Sequence, residues 1–197
     1  MDVWVDGINV VSDTTLDTKN GGTGVIDTVQ FRAGNTTKHW DDCYVLDTTG
    51  SAPQNDALGD LRIDNLMPDG DGNYTEFGTT TGTPHSGEVD EIPPDSDTTK
   101  VTSTAANQRD TFTMANLAAI TSQTIFGVQQ FSFAQHDGSA TNFRNKLRIS
   151  AADFDGASQA GGAAYGYFLE EWDDDPNAAG AWVESVINGL ESGVESL

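Results

Sequence analysis

The stretch Thr124-Ile125-Phe126-Gly127-Val128-Gln129-Gln130-Phe131-Ser132-Phe133-Ala134-Gln135 alternates with a period of two. Ile125, Gly127, Gln129, Phe131 and Phe133 fall on one face of a strand, and Phe126, Val128, Gln130 and Ser132 on the other. Both sets carry apolar groups, so the segment is expected near the middle of a sandwich, with both faces covered. Outward from it, short apolar blocks recur between clusters of Gly, Asn, Asp, Thr and Pro. Residues 3–5 and 8–11 flank Asp6-Gly7, a dipeptide that favours a two-residue hairpin turn. Further strands are expected at 25–31, 40–47, 58–67, 100–103, 110–114 and 143–150. Residues 164–172 hold the last expected strand. This spacing predicts a mainly β fold, an antiparallel β-sandwich or jelly roll.

Beyond Asp173-Asp174-Asp175-Pro176 the pattern changes. Trp182, Val183, Val186, Ile187 and Leu190 recur at helical spacing, which predicts one short C-terminal amphipathic helix stopped at Gly193. So short a helix needs a surface to pack on. Gly50, Ser51, Pro53 and Asn55 mark a boundary. It divides the chain into a β segment at 1–52 and a β-sandwich or jelly-roll domain with the helix at 57–197.

The 197 residues include 31 Asp and Glu against 9 Lys and Arg, a formal net charge of -22. Such a surface repels nucleic acid, whose binding depends on neutralising phosphates with cations, and the reading is that none is bound. No apolar run reaches the roughly 18 residues of a membrane span, so no membrane insertion is expected. Met1-Asp2-Val3-Trp4 lacks the basic and apolar regions of a secretory signal. Cys43 is the only cysteine. It sits in a strand-like block and is expected as a buried, inert thiol.

No residue set points to catalysis. Adjacent carboxylates such as Asp41-Asp42 and Glu170-Glu171 are numerous, and none stands out as a glycosidase pair. His39, His85 and His136 are not at metal-ligand spacing, and no GxSxG elbow supports a Ser/His/Asp triad. Asp69, Asp71 and Asn73 in Asp69-Gly70-Asp71-Gly72-Asn73 place oxygens at alternate positions, with Glu76 able to close a calcium-like turn. The same residues are favoured in ordinary turns. No other cofactor is expected. Trp4, Trp40, Trp172 and Trp182 are candidates for stacking on a sugar, but their places on expected strands and on the apolar stripe of the helix favour core packing; Trp40, which opens a strand beside a polar loop, is the one assigned to glycan binding.

Several motifs carry a family resemblance. Residues 39–47, HWDDCYVLD, resemble the closing strand of concanavalin-like (laminin-G-like) sandwiches, and residues 3–11 resemble a hairpin upstream in those domains. Residues 41–56 (DDCYVLDTTGSAPQND), 58–63 (LGDLRI), 68–72 (PDGDG), 89–95 (VDEIPPD) and 170–195 resemble segments of tailed-bacteriophage virion structural proteins. The resemblance covers most of the chain. It implies a virion surface protein, assembled in the host cytoplasm, which decorates the head or belongs to a tail or fibre. Its partners would be copies of itself and other virion proteins, such as the major capsid or tail protein. A complete concanavalin-like sandwich takes more chain than precedes Pro53, so the expectation is either a chain shortened relative to those domains or N-terminal strands that complete a sheet supplied elsewhere, with a neighbouring subunit as the obvious supplier. The alternative function is a lectin-like module that attaches to glycans on the host surface.

Overall fold

A computed structural model of the chain describes residues 2–5, 8–12, 58, 61–82, 84–118, 124–136 and 142–197. The chain divides into two compact units, Met1–Ile63 and Asp64–Leu197. In the first, β1 (Asp2–Val5) and β2 (Ile8–Ser12) pair antiparallel, with Val5 opposite Ile8 and a bulge between Val3 and Trp4. This is the hairpin expected around Asp6-Gly7. The strands expected at 25–31 and 40–47, and the boundary at 53–56, lie outside the described residues.

The second unit is built on a five-stranded antiparallel sheet. Its strands are β3 (Pro68–Thr75), β6 (Arg109–Met114), β8 (Asn142–Ile149), β9 (Ala152–Ala160) and β11 (Glu191–Ser196), in the spatial order β3-β6-β11-β8-β9. A short pair, β4 (Gly78–Thr79) with β5 (Val101–Thr102), lies between β3 and β6 in sequence. β7 (Val128–Ala134) and β10 (Gly166–Trp172) form a separate antiparallel ribbon. α1 (Glu184–Ile187) is one turn long.

The core lies where one face of the sheet meets α1 and its flanking loops. Leu147 and Ile149 of β8 pack with Trp182, Ile187 and Leu190, each 6% exposed or less. Val128 and Trp172, from the inner face of the ribbon, join the same cluster. The Trp182 indole N–H donates to the Trp172 carbonyl at 2.8 Å. The architecture is therefore two layers, a sheet covered by a ribbon and a helical turn, in keeping with a β-sandwich.

The short C-terminal helix is present, and four other expectations are corrected. The helical spacing of Trp182 to Leu190 yields only the single turn Glu184–Ile187, capped at Asn188. The chain then becomes β11, the central strand of the sheet, and Gly193 is its midpoint rather than a helix stop. Residues 164–172 hence do not hold the last strand. Residues 61–67, expected as strand, are irregular, while the turn expected at 68–73 is part of β3.

Gly193 explains why this segment can occupy the centre. It sits opposite Thr111 on one side and Lys146 on the other. A Cβ there would fall inside the Asp110 carbonyl oxygen and 2.7 Å from the Thr111 Cα. Only glycine lets the two backbones come this close. Gly193→Ala is expected to cost about 3 kcal/mol or more of unfolding free energy in urea melts, because backbone rather than a flexible side chain must move. Gly78→Ala is the control: its Cβ would meet the Thr102 oxygen at 3.8 Å, and the midpoint should hardly change.

Candidate functional site

The β7–β10 ribbon has an unusual polarity. Leu169 lies opposite Phe131, Tyr167 opposite Phe133, and Glu171 opposite Gln129. On β7 the residues turned towards the sheet are Val128, Gln130 and Ser132. Gln130 is 6% exposed, and its side-chain amide donates to the Lys146 carbonyl at 3.2 Å and the Gly193 carbonyl at 2.7 Å. The Ser132 hydroxyl donates to Asn145 Oδ1 at 2.5 Å. Buried polar groups are tolerated when they find such partners. From β10, Phe168 meets Phe143 edge to face with ring centroids 4.9 Å apart.

The other face of the ribbon is aromatic and open to solvent. Phe131 is 62% exposed, Tyr167 65% and Leu169 40%. Phe133 stacks on Tyr165 with centroids 4.9 Å apart and leans on Tyr167 at 4.8 Å. The ends are polar. Gln129 donates to Glu171 at 2.9 Å at one end. At the other, the Tyr165 hydroxyl donates to Asp97 at 3.0 Å, and Asp97 also holds Lys100 at 2.5 Å. A contiguous apolar surface with a polar rim is the usual form of an interaction site.

The face of the sheet that carries Thr111 and Lys146 is a charged ladder. Arg109, Glu195 and Arg144 form one row across β6, β11 and β8. Lys146 and Asp155 lie in the next row, and Glu191, Arg148 and Asp153 beyond it. Arg144 reaches Glu195 at 2.7 Å and Asp155 at 2.9 Å. Arg148 reaches Asp153 at 2.6 Å. Arg109 pairs with Glu76 at 3.1 Å and stacks 3.7 Å above the Tyr74 ring. Lys146, only 4% exposed at its side chain, contacts Asp155 and lies 3.1 Å from Glu195. Burial alone would lower the Lys146 pKa, but its hydrogen bonds to Asp155 and Glu195 raise it. Burial would likewise raise Asp153, yet hydrogen bonds from Arg148 and Tyr74 hold it below the ordinary carboxylate value.

Two further acids are structural pins. Glu88 ends a 3-10 turn, His85–Glu88, and is 1% exposed. It accepts from the Thr81 hydroxyl, and from the backbone N–H groups of Thr81, Thr80 and Lys100 at 2.8, 3.1 and 3.1 Å. The Thr81 hydroxyl is the largest influence; burial opposes it, and the backbone donors add to it, bringing Glu88 from 4.5 to about 2. Asp110, fully buried, accepts from the Phe77 N–H at 2.9 Å and meets His85 Nδ1 at 2.6 Å. Burial raises its pKa in spite of these contacts. The pair joins the 3-10 turn to β6.

Asp69, Asp71 and Asn73 do not form a loop. They alternate along β3 on its more exposed side. Asp69 accepts from the Thr113 hydroxyl at 2.8 Å, Asp71 from the Ser86 N–H at 2.8 Å, and the Asn73 N–H donates to Glu191 at 2.8 Å. Among the described residues, no group of three or more His, Cys, Asp or Glu side chains is placed to hold a metal ion. Trp40 lies outside the described residues. No described helix is long and apolar enough to cross a membrane.

Sequence reasoning found Phe131, Phe133, Tyr167 and Leu169 but took both ribbon faces as covered. The missed signal is the pair Gln130 and Ser132, which share a face with Val128. Had that face been taken as the inner one, the aromatic face would have been left outside. Comparison with protein-family models, curated proteins and solved structures finds no match.

Two outcomes follow from the charges. Lys146→Met leaves Asp155 and Glu195 with Arg144 alone and, because Lys146 is the buried member of the cluster, should cost about 3 kcal/mol in urea unfolding at neutral pH. Glu88 has a folded pKa below its unfolded one. Its stabilisation is therefore complete above about pH 4.5 and fades as the pH falls towards about 2. In urea midpoints across that range, the gap between wild type and Glu88→Gln should be constant from about pH 5 to 7 and close at lower pH.

Proposed function

We propose that this chain is a structural component of a larger surface assembly, and that it docks through the aromatic face of the β7–β10 ribbon. The carrying observation is the polarity of β7. Gln130 and Ser132 are turned inward and bonded, while Phe131 and its neighbours Tyr167 and Leu169 are left in water. Burying each of these on association is worth about 1.5–3 kcal/mol at full coverage, so the face gains only when something covers it. The motif resemblance supports a tailed-virus particle as the assembly. In that reading the chain works by covering surface rather than by chemistry, and the buried acids serve the fold.

A second reading, glycan attachment, is favoured by one feature. Exposed Tyr167 shares the outer face with the Gln129–Glu171 pair, the Phe131–Leu169 row lying between them, so an aromatic platform ends in hydrogen-bonding groups. It predicts glycan-array binding by the full chain that disappears in Tyr167→Ala.

Hydroxyl-radical footprinting tests the docking reading. In the isolated chain Phe131, Tyr167 and Leu169 should be oxidised readily. In particles from the native source the same residues should be protected at least about five-fold, as expected for a well-packed interface core. Absence of the chain from the particle fraction, or equal labelling in both states, would overturn the reading.

A further inference from the structure

Resting on the docking role just proposed, the charge around the ribbon identifies its partner. We infer that the aromatic face receives a protein surface with an apolar centre and a Lys/Arg rim, and not the same face of a second copy. The rim carries three exposed acids at one end and one, paired with Lys100, at the other. Glu171 is exposed, and so are Asp173 and Asp174, which follow β10 directly. The Asp173 backbone lies against Gly127, just ahead of β7, so these acids stand at the mouth of the ribbon. At the far end Asp97, with 65% of its side chain exposed, is held by Tyr165.

Among the described residues, most cations are engaged away from this rim. Of the six described Lys and Arg residues, Arg109, Arg144, Lys146 and Arg148 are in the ladder, each within 3.1 Å of a carboxylate. Lys100 is bonded to Asp97 and offsets the charge at that end, so these five cations pair away from Glu171, Asp173 and Asp174. Two identical faces meeting about a two-fold axis would bring carboxylates against carboxylates in a chain already carrying a net charge of -22. Like charges set against each other across an interface cost several kcal/mol, whereas a cationic rim gains the same interaction with the opposite sign and faster encounter.

The test uses the full chain and two fluorescent synthetic β-hairpin peptides. Both present the same Trp/Leu centre; one is rimmed with Lys and the other with Glu. By anisotropy at roughly 0.05 M salt, where screening reaches beyond 10 Å, the Lys-rimmed peptide should bind at least about ten-fold tighter. The advantage should fall below about three-fold at roughly 0.5 M salt. A rim variant (Glu171→Gln, Asp173→Asn, Asp174→Asn) should remove the preference, and a face variant (Phe131→Ser, Tyr167→Ser, Leu169→Ser) should abolish binding of both peptides. Circular dichroism and urea midpoints confirm that the variants are folded.

Equal binding of the two peptides, lost in the face variant, would overturn the charge inference and leave the docking face standing. Lys-rimmed binding that survives the face variant would place it elsewhere on the acidic surface and overturn the inference. Self-association of the chain in sedimentation velocity, abolished by the face variant, would assign the face to a second copy. Binding of neither peptide, with glycan-array binding lost in Tyr167→Ala, would overturn both the inference and the protein-docking role.

Discussion

The close approach of β11 to β6 and β8 is the constraint from which the second unit follows. A strand paired on both sides satisfies its backbone groups entirely within the sheet, and Gly193 removes the side chain that would hold β6 away. Two other features depend on that position. Glu195 meets Arg144 and Lys146 of β8, and Glu191 reaches Arg148 of β8 on one side and the Thr111 hydroxyl of β6 on the other, because β11 is central. The Gly193 carbonyl, with that of Lys146, also gives Gln130 its partners and so fixes the ribbon over the sheet.

The two charged and aromatic surfaces divide the chemistry between stability and association. The ladder gathers cations that are scarce in this chain and pairs them with carboxylates across neighbouring strands. Individual exposed pairs of this sort contribute little, but Lys146 is deeply buried, and without it Asp155 and Glu195 have only Arg144 to compensate two charges. With four of the described cations gathered there, the outer face of the ribbon keeps aromatic side chains beside the exposed acids Glu171, Asp173 and Asp174. In the proposed reading, such a surface selects its partner by charge.

Much of the strand pattern was legible, and the exceptions have physical causes. Residues 110–114, 143–150 and 164–172 alternate visibly and correspond to β6, β8 and β10. β9 was hidden by its turn: Ser150 and Ala151 both adopt positive φ, at 50° and 69°, where a two-residue hairpin ordinarily has Asn or Gly. β3 was read as a turn because Asp-Gly-Asp-Gly-Asn is turn chemistry, yet its irregular register with β6 accommodates those residues, and Gly72 has no room for a Cβ beside Thr111. β11 carries Glu, Ser and Gly in place of β-branched residues. Its strand state comes from pairing with two neighbours, which is invisible to local propensity. The candidate face was half legible. The aromatic positions were visible, but which side of β7 met water depended on Asn145 and two carbonyls far away in sequence.

Native-state hydrogen exchange of β11 tests the central claim most directly. Every amide from Ser192 to Glu195 lies between two paired strands, so these amides should exchange as slowly as those of Phe112 and Leu147, at the rate of global unfolding. Exchange of residues 192–195 at the rate of a frayed terminus, with β6 and β8 still protected, would contradict the placement of β11 at the centre of the sheet.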